Sequence, residues 1–176
     1  MPAATTVLAP AQVAERIAAA VPGAVEETGE AWVRVRADKL LDVARFLHDD
    51  RGLDGRYLNN LNGVDRYDAF DVVYHLTSLS HNHTFAICVS AGHDDPVVPS
   101  VVSVWHGAHL QEREAYDLLG IRFEGHPSMK RIFLWEGFPG HPLRKDYMTL
   151  PGGFKPGLQR FPKEDPEQWG GEFRAD

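Results

Sequence analysis

"FDVVYHLTSLSHNHTFAICVS", residues 70–90, carries the most regular pattern in the chain. Phe70, Val72, Tyr74 and Leu76 alternate with Asp71, His75 and Thr77, the period of a strand with one face toward a core. After a polar turn, Phe85, Ile87 and Val89 take up the same period, and the two runs pair most simply as an antiparallel hairpin.

Helical and strand periods extend from this hairpin in both directions. Upstream, Pro10 opens a helix in which Val13, Ala14, Ile17, Ala18 and Val21 recur at helical spacing, and Pro22-Gly23 ends it. "AWVRVR", residues 31–36, alternates as a half-exposed strand, with Val33 and Val35 opposite Trp32, Arg34 and Arg36. Asp38 suits the N-cap of a second helix whose apolar stripe is Leu40, Val43, Ala44 and Leu47, ending near Gly52. "RYLNNLNGVDR", residues 56–66, reads as a less regular strand. Downstream, Ser100 is placed to cap a short helix through Trp105, and Gly107 separates this from a further helix that Gly120 closes.

Beyond Gly120 the composition changes. Residues 137–171 hold 13 of the 28 glycines and prolines, a density that regular structure does not survive. The expectation is an α+β domain over residues 1–120, followed by an extended arm and Gly/Pro-rich tail over 121–176. Such an arm cannot satisfy its backbone polar groups internally and so orders on another surface.

The bulk properties exclude several classes of function. The 176 residues, 43% of them hydrophobic, suffice for one cored domain and a tail. A net charge of -7 argues against nucleic acid and acidic lipid as main partners. The single cysteine, Cys88, lies in an apolar run, so no disulfide framework can form within the chain and a reducing compartment fits. The N-terminal residues lack a basic leader and a continuous apolar core, so no signal peptide is expected. No apolar run approaches the ~20 residues of a membrane helix.

Three kinds of chemistry come into question. His81 and His83 sit near Cys88, yet no second ligand pair at zinc spacing accompanies them, and His93, His106 and His109 stand singly; no metal is expected. No nucleophile elbow, phosphate loop, dinucleotide turn or HExxH helix is present, so no catalytic residue is expected. That leaves "QEREAYDLLG", residues 111–120. Ala108, Ala115, Leu118 and Leu119 form its apolar stripe, and Glu112 falls about 60° from Ala115 on that stripe. Glu112 should therefore be partly buried and paired with a cation, Arg131, Arg144 or Lys145 being the candidates. Arg113 and Asp117, four apart, should pair on the opposite face. Glu112 and Glu114 as an acid/base couple would mark a free-standing enzyme, but their side chains diverge by about 200°.

Two Gly-His-Pro triplets follow, at 125–127 and 140–142, each leading to a basic pair, Lys130/Arg131 and Arg144/Lys145. "EREAYDLLGIRFEGHPSMKRI" followed by "GHPLRKDY" resembles the signature of the 30 kDa subunit of the proton-translocating NADH-quinone oxidoreductase, respiratory complex I. The resemblance spans roughly residues 30–150; Met129 and Phe133 depart from the pattern, and the tail after Tyr147 falls outside it. It implies a two-layer α+β domain with a mixed β-sheet packed against helices. It also implies a non-redox subunit of the peripheral arm, with no cofactor in this chain and FMN and iron-sulfur clusters in neighbouring subunits. Its partners would be other peripheral-arm subunits, above all the quinone-site subunit of the 49 kDa type, on the cytoplasmic face of the cell membrane. The residues expected at that interface are Glu112, Arg113, Glu114, Asp117, His126, Lys130, Arg131, His141, Arg144, Lys145 and Asp146. The alternative is the same module in a membrane-bound hydrogenase or a ferredoxin-fed quinone reductase.

Overall fold

A computed structural model describes residues 4–147. In chain order the elements are β1 (Thr6–Val7), α1 (Pro10–Ala20), β2 (Val25–Thr28), β3 (Val33–Val35), a single 3-10 turn (Ala37–Lys39) and α2 (Leu40–Asp49). There follow β4 (Tyr57–Asp65), β5 (Ala69–Ser78), β6 (His83–Gly92), β7 (Val97–Pro99), α3 (Ala108–Leu119) and β8 (Arg122–Glu124).

The expected hairpin organises the domain. β5 and β6 pair antiparallel without a break from Ala69↔Gly92 to Ser78↔His83. The main sheet has the order β2-β3-β6-β5-β4. β1 and β3 both run parallel to β6, at Thr6↔His83 and Val33↔Ile87, so the sheet is mixed. Phe70, Val72, Tyr74 and Leu76 point together into the core, where they meet Val13 and Ile17 of α1 and Leu40, Val43, Ala44 and Leu47 of α2. Burying each of the larger of these side chains stabilises the fold by ~1.5 to 3 kcal/mol. The result is the expected α+β architecture, a mixed sheet with its helices.

Two local expectations are corrected. Asp38 makes no cap bond to α2; the 3-10 turn intervenes, and Asp38 instead accepts from Arg36 at 2.9 Å. No helix follows Ser100. Residues 101–107 form turns held by Val104 and Trp105 N–H donating to Val101 O, and the Ser100 hydroxyl accepts Val102 N–H at 3.3 Å while donating to Glu112 at 2.6 Å.

β7 and β8 form a separate parallel pair in register from Val97↔Arg122 to Pro99↔Glu124. Parallel neighbours need a crossover, and α3 supplies it. α3 then packs on β4, where Gly63 leaves the space: a Cβ there would strike Leu119 Cδ1 and lie 2.9 Å from Ile121 Cδ1. Gln111 Oε1 also accepts the Leu61 N–H from β4. The sequence after Gly120 thus begins with a strand inside the domain.

Candidate functional site

The signature residues converge on the two ends of α3. Gly120, at φ +77°, turns the chain out of the helix in the left-handed conformation that glycine adopts without strain. A helix end leaves its last four carbonyls without intrahelical donors. Here the following segment supplies them. Tyr116 O accepts Gly120 N–H at 2.8 Å, Asp117 O accepts His141 Nδ1 at 2.9 Å, and Leu118 O accepts Leu143 N–H at 3.0 Å. Leu119 O accepts Arg144 Nε at 2.6 Å. The second Gly-His-Pro triplet with its basic pair is, physically, a helix cap reaching back from some twenty residues away. His126 of the first triplet donates from Nε2 to His109 O at 3.0 Å and accepts Ser128 N–H on Nδ1 at 3.0 Å. Burial lowers the pKa of both imidazoles, although each carbonyl partner works against that shift.

Asp117 is the hub. Its side chain is fully buried, the opposite of the solvated position expected. Oδ2 accepts three consecutive N–H groups, Ile132 at 3.0 Å, Phe133 at 2.8 Å and Leu134 at 2.9 Å. Oδ1 meets Arg131 Nη1 at 2.9 Å. Arg131 Nη2 also donates to Phe138 O and Gly140 O, so one guanidinium ties the helix to both ends of the 131–140 loop. Burial by itself would raise the Asp117 pKa. The N–H groups of Leu134, Ile132 and Phe133 and the Arg131 cation outweigh it and hold the carboxyl below its ordinary range.

Asp117 therefore does not pair with Arg113. Arg113 points along the other side of the loop, donating to Lys130 O at 2.9 Å and Arg131 O at 3.0 Å. The helical spacing holds, but both side chains find stronger partners in the returning segment.

Glu112 is buried as expected but lacks the expected cation. Its carboxylate accepts Ser100 Oγ at 2.6 Å and Val101 N–H at 2.7 Å, joining α3 to the end of β7. Burial pushes its pKa up to about 7 against the pull of those two donors. Tyr74 lies close enough that burial and the Glu112 charge raise its pKa, and its hydroxyl has no hydrogen-bond partner among the described residues. Glu114 stays exposed on α3, two residues from Glu112, so the two carboxylates do not face one space.

Lys145 and Asp146 reach the tip of the β4–β5 hairpin. Asp65 accepts Lys145 N–H at 2.9 Å and Tyr67 N–H at 2.8 Å. Tyr67 holds φ +75°, a strained value for a side-chain-bearing residue, and the Lys145 ammonium lies 4.1 Å over its ring. The Arg144 guanidinium lies 5.0 Å over Phe70. Neither cation is held by Glu112 or Glu114. Asp65, His93 and Asp146 place one ligand atom each within 4.8 Å of one another. They form the one metal-type grouping among the described residues, one ligand short of a structural zinc set. His81 and His83 instead donate to Arg51 O at 2.8 Å and Leu53 O at 2.9 Å.

No sequence period points to Ser100 as partner to Glu112, nor to Asp65 beneath Lys145, since both contacts join segments by long-range folding. All of the expected residues from Glu112 to Asp146 lie on α3 or the segment that wraps it. Lys130 and Glu114 contribute no described side-chain bond and remain exposed.

Known proteins resemble the chain in sequence and in fold. The chain is 45% identical over 143 residues to the C subunit of NADH-quinone oxidoreductase from Roseiflexus sp. (strain RS-1), covering 77% of this chain and 82% of that one. It is 41% identical over 151 residues to the C 2 subunit of NADH-quinone oxidoreductase from Rhizobium meliloti (strain 1021), covering 82% and 81%. A chain in the structure of the membrane-bound sulfane sulfur reductase, an archaeal respiratory membrane complex, shares the fold with a TM-score of 0.63 at 21% identity, over 94% of this chain and 95% of that one. The profile of the family described as respiratory-chain NADH dehydrogenase, 30 Kd subunit, matches residues 33–151, more than half of the sequence and all of α3 with its returning segment; the chain belongs to that family.

Proposed function

We propose that this chain is the non-redox structural subunit of the peripheral arm of an NADH-quinone oxidoreductase, supporting electron transfer from NADH to quinone by holding its neighbours in place. The observation that carries the reading is the clasp around Asp117. It fixes the 131–144 segment rigidly on α3 while leaving large apolar side chains outward: Leu110 on α3 and Phe133 and Leu143 on the segment are each more than half exposed. Ordered backbone with exposed aromatic and aliphatic side chains is what a docking surface requires. Glu114, Lys130 and Lys145 flank these side chains and would set orientation.

In this reading the surface meets the quinone-site subunit of the 49 kDa type, and FMN and the iron-sulfur clusters belong to other subunits. One buried cysteine, Cys88, is consistent with that, because a cluster is ordinarily held by four thiolates. Attachment to the membrane would run through partners at its cytoplasmic face, since among the described residues no helix is long and apolar enough to cross a membrane. The names of the relatives at 41–47% identity favour an NADH-linked complex over the hydrogenase or ferredoxin-fed alternative.

The experiment is affinity purification of the tagged full-length chain from its own cells. Recovery of a membrane complex that oxidises NADH with a quinone acceptor is expected. A complex containing a nickel-iron centre and no NADH oxidation would overturn the assignment.

A further inference from the structure

At one end of the main sheet, register sets Asp65 of β4 opposite Phe70 of β5, and Phe70 opposite Ala91 of β6. Two residues past Ala91, His93 stacks its ring on Phe70 with centroids 4.8 Å apart and planes at 8°. The stacking fixes the imidazole, and its Nε2 comes to 3.7 Å from Asp65 Oδ2. That is too long for a hydrogen bond, and His93 makes none among the described residues. The returning segment supplies a third group. Asp65 Oδ2 accepts the Lys145 N–H at 2.9 Å, and this backbone bond carries Asp146, next in the chain, to the same place. One ligand atom from each of Asp65, His93 and Asp146 lies within 4.8 Å of the other two.

We propose that Asp65, His93 and Asp146 form a binding site for a divalent transition-metal ion of the zinc class, with water completing the coordination. Ligand atoms about 2.0 to 2.2 Å from a tetrahedral ion stand about 3.3 to 3.6 Å from one another. The 3.7 Å between His93 Nε2 and Asp65 Oδ2 fits that spacing, and Asp146, which is exposed, closes the remainder by moving its side chain. Asp65 is already oriented. Its Oδ1 accepts Tyr67 N–H and its Oδ2 accepts Lys145 N–H, which leaves one lone pair on each oxygen. Outer hydrogen bonds of this kind hold the carboxylates of metal sites in place. The Asp65 side chain is 3% exposed and that of His93 19%, so solvent screens an ion here less than at an open acidic surface. The Lys145 ammonium, 4.1 Å over the Tyr67 ring, offsets only part of the charge of two carboxylates. The imidazole sets the selectivity, since nitrogen favours zinc-type ions over calcium and magnesium. A bound ion would join the end of β4, the turn after β6 and the end of the returning segment. These three stretches are distant in the chain, so no ligand spacing in the sequence announces the set. The site does not depend on the reading of the chain as a subunit of an assembly.

The test uses the untagged full-length chain, stripped with a chelator, as wild type, His93→Ala and Asp146→Asn. Thermal unfolding of each is followed without metal, with Zn2+ and with Ca2+, and bound zinc is counted by equilibrium dialysis. Zn2+ at about ten times its dissociation constant should raise the wild-type midpoint by ~3 °C, with one zinc bound per chain and no response to Ca2+. Both variants should lose that rise and the bound zinc. Asp146→Asn alters an exposed side chain and should unfold close to wild type without metal, so it carries the test even if His93→Ala fails to fold. Three results would overturn the inference: no rise with Zn2+ in wild type, a rise that Asp146→Asn and a folded His93→Ala retain, or an equal rise with Ca2+. The second would place the zinc on other histidines, and the third would reduce the site to carboxylates screened by any divalent ion.

Discussion

Asp117 and Arg131, fourteen positions apart, meet at 2.9 Å with the carboxylate wholly buried and the guanidinium one-fifth exposed. The pair does not stand alone, since three backbone N–H groups share the carboxylate. Asp117→Asn keeps the shape, removes the charge and turns an amide NH2 toward donors. A loss of about 3 kcal/mol in urea unfolding of the purified chain is expected, in the range for breaking one side of a buried pair. Because the folded carboxyl titrates below its ordinary value, its stabilising contribution is complete above about pH 3.8 and is lost as pH falls through the folded value. Wild type and Asp117→Asn should therefore converge in acid, and a gap that stays constant down to pH ~2 would contradict the assignment.

Glu112 has the opposite sign. Burial raises its pKa to about 7, so the folded state holds a proton that the unfolded chain releases near pH 4.5. Stability from this group is full below about pH 4.5 and is lost as pH rises through about 7, a change on the order of 3 kcal/mol. His126 and His141, whose values are lowered by burial, push stability upward with pH over part of the same range. The difference between wild type and Glu112→Gln isolates the carboxyl. Melting temperatures measured from about pH 5 to 8 should show wild type losing ground to the variant as pH rises. Parallel curves would mean that Glu112 titrates normally in the folded state.

Gly120 is held at φ +77°, and a Cβ there would lie 2.6 Å from His141 Cδ2, 2.7 Å from His141 Nε2 and 2.9 Å from Arg144 Nη2. Gly120→Ala thus combines left-handed backbone strain of ~1 to 2 kcal/mol with displacement of the two side chains that cap α3. Cleavage within 126–146 by a protease at limiting concentration should accelerate severalfold while far-UV dichroism changes little. Wild-type resistance would show that the cap does not hold the segment.

The elements with their own period are legible in the sequence. α1, α2, β5 and β6 follow from apolar spacing, and Leu40, Val43, Ala44 and Leu47 are all fully buried as that spacing requires. The two-residue β1 and three-residue β7 and β8 are not, because such short strands form only by pairing with distant partners. At the site, helical spacing locates Glu112 in the core but cannot identify Ser100 as its partner, and it sets Asp117 beside Arg113 when a backbone loop offers three donors. The resemblance leads to the expectation of an interface along this segment. Its contacts show that most of its charged and histidine side chains first serve the chain's own fold, and this division bears directly on Arg144 and Lys145.

Those two neighbours should separate folding from assembly. Arg144 bonds Leu119 O at 2.6 Å through Nε and covers Phe70 with its guanidinium. Arg144→Ala leaves a helix carbonyl without its donor and uncovers the ring, so a folding loss of about 2 kcal/mol is expected. Arg144→Lys should not restore it, because an ammonium cannot bond through Nε while stacking flat on the ring. Lys145 holds the segment through its backbone N–H, which substitution leaves intact, while its exposed ammonium rests over the likewise exposed Tyr67 ring. Lys145→Ala should change urea unfolding by less than about 1 kcal/mol yet lower the yield of intact complex. The pair of measurements, unfolding of the purified chain and recovery of complex from cells, should thus give a large and a small folding effect, with assembly impaired in both. If Lys145→Ala assembles normally, the ammonium is a solvated charge and the docking surface must lie with Leu110, Phe133 and Leu143 instead.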